Sequence, residues 1–315
     1  MNLQLDKETG WLVGGVLALL VVATLIGQVL RLRVRGEQGA KTIQNLNART
    51  KAWWVMAAVF ALAMLTGGIG SCVLFGLISF FALREFITLT PTKIGDHRTL
   101  FWVFFVIIPL QYWLVASGWY GLFVILIPVY AFLFVPLRSA MSGDCERFLE
   151  RAAKIQWGLM VCVYCVSHAP AIFLLKIPGY EGQNGKLLFY FVLIVQISDV
   201  LQYVWGKTLG RHKIAPHVSP SKTWEGFIGG IATATLIGAG LWWATPFTPL
   251  QSAGMSLAIT LMGFAGGLVM SAIKRDRGVK DYGTMIEGHG GVMDRIDSIC
   301  FAAPVFFHLT RYFFT

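Results

Sequence analysis

Ten apolar runs leave this 315-residue chain few ways to fold: 11–30, 52–67, 69–85, 99–115, 118–137, 155–175, 187–206, 224–244, 254–273 and 298–314. A hydrocarbon core of about 30 Å is crossed by roughly 20 helical residues, and most of these runs approach that length. Inside hydrocarbon every backbone N–H and C=O must be paired within its own segment, which a helix does. The expectation is an all-α, polytopic integral membrane protein of about ten transmembrane helices. Composition agrees, with 56% hydrophobic and 13% charged residues, where a soluble domain is about a quarter charged. Residues 1–186 read as N-terminal transmembrane helices and 187–315 as a C-terminal catalytic transmembrane region, within one integral-membrane unit.

The second and third runs are short, and only Gly67, Gly68 and Gly70 lie near their junction. They form either one long span or a tight hairpin. A hairpin places 22 of the 26 Lys and Arg residues in alternate loops, leaving Lys7, Lys176, Lys186 and Arg311 on the other side. A single span scatters that bias, so the positive-inside tendency favours the hairpin, with both termini outside the cytosol. Asp6-Lys7-Glu8 precedes the first run and Arg31 follows it with no small-residue cleavage site, which marks a retained anchor. Cys162 and Cys165 have CxxC spacing, but they fall mid-span without a second pair and read as helix packing.

Polar residues gather in three places. Asp199 lies inside the seventh run, where a carboxylate costs roughly 2.5–3.5 kcal/mol on insertion scales. It therefore faces protein or water, either in a cavity open to the cytosol or in a structural ion pair. The second cluster is His212 to Gly226. Ser219 followed by Pro220 reads as N-cap and first helical residue, which would aim free N–H groups and Lys222 at an anion. An ordinary helix start with a snorkelling lysine fits equally well.

The third cluster, residues 274–298, holds ten of the chain's 42 charged residues. Asp281, Asp294 and Asp297 are hard oxygen ligands suited to Mg²⁺, which keeps waters and takes one or two carboxylates plus substrate phosphate. Lys274, Arg275, Lys280 and Arg295 interleave cations, and Gly288-His289-Gly290-Gly291 permits close backbone approach to a phosphate. These are parts for handling a polyphosphate with metal. A salt-bridged cytosolic loop is the plainer alternative. Asp281 and Asp294 are expected to face water and metal rather than a packed core.

Ser271-Ala-Ile-Lys274-Arg275, Lys280-Asp281-Tyr-Gly283 and His289-Gly290-Gly291-Val-Met-Asp294-Arg295-Ile-Asp297 together resemble the signature of the phosphatidate cytidylyltransferase (CDP-diacylglycerol synthase) family. Ser219-Pro-Ser-Lys222-Thr223-Trp-Glu225-Gly226 is similar to a second motif of that family. The resemblance covers about residues 187–310. It implies that CTP and phosphatidate give CDP-diacylglycerol and pyrophosphate. It makes Asp281 and Asp294 the first metal ligands, Asp297 and Asp199 further ones, and leaves a second metal ion open beside Mg²⁺. Lys222, Lys274, Arg275, Lys280 and Arg295 would contact phosphates, Ser219 would organise the helix start, and His289 would orient substrate or a metal-bound water. The expected setting is a bacterial inner membrane with the site facing the cytosol. Membrane lipids, not nucleic acid, are the surroundings, and a homodimer stays open.

Two positions depart from the family pattern. Glu287 replaces a usual Pro or Gly, and bulky Gln202 stands where Ala is usual after the intramembrane Asp. They keep another lipid phosphate in play as substrate. A transporter with Asp199 as relay is the reading from a different class, but it predicts charge near the bilayer midplane, whereas these charges sit at one face.

Overall fold

The computed structural model describes residues 7–33, 37–90, 92–286 and 290–315. Among them, ten long helices follow one another. They are α1 Lys7–Arg33, α2 Glu37–Leu65, α3 Gly67–Thr88, α4 Ile94–Ser117, α5 Tyr120–Ala140, α6 Phe148–Leu174, α7 Asn184–Thr208, α8 Trp224–Gly240, α9 Pro249–Asp276 and α10 Met293–Phe314. Eight are long and apolar enough to cross a membrane; α8 has only 17 residues, and α10 opens on Asp294, Arg295 and Asp297. The chain is thus an all-α polytopic membrane protein.

The hairpin at the second and third runs is present. α2 ends at Leu65, α3 begins at Gly67, and the two helices pack together. Gly67 turns the chain at φ +73°, a left-handed conformation that costs a glycine little. α2 starts well before the expected residue 52, because the polar stretch ahead of the apolar run continues the same helix. Within α4, α5 and α6 the backbone widens to π-helical turns at Val103–Ile107, Leu126–Ala131 and Leu159–Cys165. Pro109 follows the first and Pro128 lies inside the second, each removing an N–H from the helical ladder. Cys162 and Cys165 are free thiols inside α6, as the packing reading expects.

The core lies where α10 meets α9, α6 and α3. Phe191 of α7 stacks on Phe306 of α10 at 5.2 Å between ring centroids. α7 and α8 come closer still. A Cβ at Gly230 would fall 2.7 Å from the backbone N of Gln202, and one at Gly226 would fall 2.9 Å from the Cα of Gly206. Small residues let helix backbones approach in this way where water supplies no hydrophobic drive.

One local expectation is overturned. Ser219 and Pro220 do not start α8; they lie in strand β2 Ser219–Thr223, which pairs antiparallel with β1 Lys213–Ala215. The N-cap is Thr223, whose hydroxyl accepts from the N–H of Gly226 at 3.1 Å. Extended pairing therefore carries the chain four residues further before the helix begins. Glu225, in the first turn, accepts from the N–H groups of Arg211 and His212 and from His212 Nδ1, which closes the hairpin onto α8.

Candidate active site

The ends of α7, α9 and α10, the β hairpin and the described loop residues 277–286 and 290–292 converge. The deepest part of the site is built on Asp199 of α7. The hydroxyl of Ser298, on α10, donates to Asp199 Oδ1 at 3.1 Å, and the N–H of Ser298 donates to Asp297 Oδ1 at 2.8 Å. Gly267 of α9 faces this group. A Cβ there would fall 3.1 Å from Lys222 Nζ, 3.6 Å from Ser298 Oγ and 3.8 Å from Asp297 Oδ2. Lys222 reaches in from β2 and lies 4.4 Å from the centre of the Phe264 ring. Burial holds its ammonium below the usual lysine range, while Asp199 and Asp297 pull the other way.

A second group sits around Asp294. Its Oδ1 pairs with Lys274 Nζ at 2.8 Å, and its Oδ2 accepts from the N–H groups of Tyr282 at 2.8 Å and Gly291 at 2.9 Å. Asp294 is only 7% exposed. The expectation that it faces water is therefore corrected: this carboxylate is a buried hub that fastens Tyr282 and Gly291 to α10. Gly290, at φ +84°, brings Asp281 alongside, since a Cβ on it would fall 2.9 Å from Asp294 Oδ2 and 3.3 Å from Asp281 Cβ. Asp281 itself is exposed.

Arg295 links the two groups. It stands within electrostatic reach of Asp297 and Lys222's other neighbour, Asp199, and its Nε is buried without a hydrogen-bond partner among the described residues. Arg275 faces elsewhere, donating to the carbonyls of Val218 and Val279 and so tying the hairpin to the end of α9. Lys280 is exposed and forms no hydrogen bond or ion pair among the described residues. Ser219 is buried within β2. His289 and Glu287 lie outside the described residues. Gln202 points its amide at Ser198 Oγ, 2.8 Å away, and Gly230 of α8 leaves the space that its side chain fills.

One carboxylate escaped the sequence reading. Glu85, near the end of α3, accepts from the N–H groups of Val292 and Met293 at 2.9 Å each, where α10 begins. It follows a long apolar run and stands next to Arg84, so in sequence it looks like an ordinary span end. Its only signal is that acidic residues are rare there.

Among the described residues no three His, Cys, Asp or Glu side chains cluster as a cation cage. That does not conflict with Mg²⁺, which needs only one or two carboxylates when phosphates and waters complete its shell. Among the described residues Asp199 and Asp297 each keep an oxygen with no protein donor, as does the exposed Asp281. Asp294 has both oxygens engaged.

The chain matches the Cytidylyltransferase family over residues 47–313. It is 40% identical over 299 residues to a protein of Escherichia coli K12 named "Uncharacterized protein YnbB", covering 94% of this chain and 96% of that one. It is 29% identical over 268 residues to the phosphatidate cytidylyltransferase of Staphylococcus aureus strain COL, covering 82% and 97%. Against the phosphatidate cytidylyltransferase of Aquifex aeolicus it is 36% identical over 138 residues, covering 44% and 52%.

Proposed function

Because the chain belongs to the cytidylyltransferase family, we propose that it transfers the cytidylyl group of CTP to phosphatidate, giving CDP-diacylglycerol and pyrophosphate. A lipid-phosphate oxygen attacks the α-phosphorus of CTP, and the bond to the bridging oxygen of the β-phosphate breaks. The nucleophile is already ionised, so the site needs no strong base. Its task is to bring two anions together and stabilise the charge on the departing pyrophosphate. The observation that carries the reading is the pair of cations at the inner group. Lys222 forms no ion pair within the described residues, and Arg295 Nε is buried without a partner, both beside Asp199 and Asp297. An anion bridging them would use both.

Lys222 and Arg295 hold non-bridging phosphate oxygens in this scheme, with Lys280 at the exposed rim. Lys274 serves Asp294 first and reaches phosphate only if that ion pair opens. Arg275 and Ser219 shape the hairpin that carries Lys222. Asp199 and Asp297 are the carboxylates best placed to hold Mg²⁺, with Asp281 as a further ligand at the rim. When bound, Mg²⁺ would supply charge neutralisation of the leaving pyrophosphate. The site faces the cytosol of a bacterial inner membrane, where CTP is made, and the lipid enters between helices with its headgroup at this end.

A different lipid phosphate is the second reading, favoured by one observation. Gln202 sits one helical turn beyond Asp199 on α7 and is fastened to Ser198. Pyrophosphate release from the purified protein with CTP, Mg²⁺ and a panel of lipid phosphates tests both. Release with phosphatidate supports the first, release only with another lipid phosphate supports the second, and release with none sinks the cytidylyl-transfer reading.

A further inference from the structure

We propose that Glu85 is a positioning residue of this site: from α3 it seats the start of α10 and so sets where Asp294, Arg295 and Asp297 stand. Its two carboxylate oxygens accept separately, Oε1 from Val292 and Oε2 from Met293, each at 2.9 Å. These N–H groups open α10 and have no acceptor earlier in that helix. The residues they belong to immediately precede Asp294. An anion also suits the positive end of a helix dipole.

The environment of Glu85 is shaped to that contact. Its side chain is 9% exposed. A carboxylate so placed without donors or a cation is costly. Among the described residues its side-chain hydrogen-bond partners are these two amides, which offset the desolvation cost from the start of α10. Two loop glycines lie against it as well. A Cβ at Gly291 would fall 2.3 Å from Glu85 Oε2, and one at Gly283 would fall 2.7 Å from Oε1. The loop carrying Asp281 and the helix carrying Asp294 are thus moulded on the same carboxylate.

The inference rests on the proposed reaction for its kinetic part only. The change Glu85→Gln keeps the shape but replaces one acceptor with an NH₂ that faces an N–H. Hydrogen exchange of the full-length protein in detergent, followed in peptides spanning 290–294, should quicken about tenfold or more, the factor expected from losing one charge-assisted hydrogen bond. If the wild type releases pyrophosphate, kcat of the variant should fall about 10–100-fold while the KM for CTP stays within about threefold. Combined with Asp297→Asn its effect on kcat should be less than additive, and combined with Trp11→Ala, at the far end of the chain, it should be additive. A merely structural role would be additive with both. If the Gln variant does not fold, Glu85→Asp, which retains charge but withdraws it by a methylene, takes its place in the same measurements. Unchanged exchange at 290–294 in whichever variant folds overturns the proposal. A wild type inactive with every lipid phosphate would overturn the reaction but leave the exchange result to decide Glu85.

Discussion

Lys274 Nζ lies 2.8 Å from Asp294 Oδ1, so the last turn of α9 and the first turn of α10 are joined by an ion pair whose side chains are 12% and 3% exposed. Removing one partner of a buried pair leaves an uncompensated charge and costs about 3–5 kcal/mol. Asp294→Asn should therefore lower the thermal unfolding temperature in detergent as well as abolish turnover. A variant with wild-type unfolding would show that the pair opens freely in solution.

Asp281→Asn should behave differently. The residue is exposed and has no hydrogen-bond or ion-pair partner among the described residues, so folding should be untouched. If Asp281 contributes to Mg²⁺, turnover falls up to about a hundredfold and more Mg²⁺ is needed for half-maximal rate. Normal Mg²⁺ dependence would assign the metal to Asp199 and Asp297 alone.

Two adjacent glycines of α9 should separate stability from activity. A Cβ at Gly266 would fall 2.4 Å from the carbonyl oxygen of Asp297, which is backbone and cannot step aside. Gly266→Ala should cost about 1–3 kcal/mol through overpacking. At Gly267 the nearest atom is the flexible tip of Lys222, 3.1 Å away. Gly267→Ala should fold normally and slow turnover by displacing that ammonium, which unfolding curves and steady-state rates together would reveal.

Lys222 also predicts a pH dependence. Its folded-state pKa is lowered, chiefly by burial, so its charge is lost as pH rises and at a lower pH than for an ordinary lysine. Pyrophosphate release should decline on the alkaline side earlier than solvent-exposed lysines would allow. Lys222→Arg, whose guanidinium keeps its proton throughout, should shift that limb upward. Coincident alkaline limbs in the two proteins would remove Lys222 from the rate-limiting step.

Sidedness can be read by labelling. With the exposed Cys145 replaced, cysteines at Lys213 and Asp276 should react from the same membrane face, and one at Glu181 from the other. Labelling of positions 213 and 276 from opposite faces would break the shared-site arrangement.

Most of the fold was legible because apolar runs of span length admit one backbone solution. The 67 turn was legible because Lys and Arg counts discriminate hairpin from long span. The site was partly legible. Asp199, Lys222, Asp297 and Arg295 do converge, although they come from three separate segments, because each broke a local rule for a membrane chain. What escaped was set by contacts rather than by pattern. Ser219 reads as a cap until β1 is seen beside it, and Asp294 reads as a free ligand until Lys274 and two backbone amides are found on it. Glu85 carries no local anomaly beyond its own charge, and its partners are 207 and 208 residues away.

That separation has a consequence for synthesis at the ribosome. At roughly 5–20 residues per second, α3 emerges about 10–40 s before the amides that Glu85 holds, 207 residues later. Throughout that interval the newborn chain carries an acidic side chain at the end of an inserted helix with no mate to receive it. The start of the last helix delivers the mate together with Asp294, Arg295 and Asp297. A polypeptide interrupted anywhere before α10 lacks Asp294, Arg295 and Asp297 together with the amides that Glu85 holds.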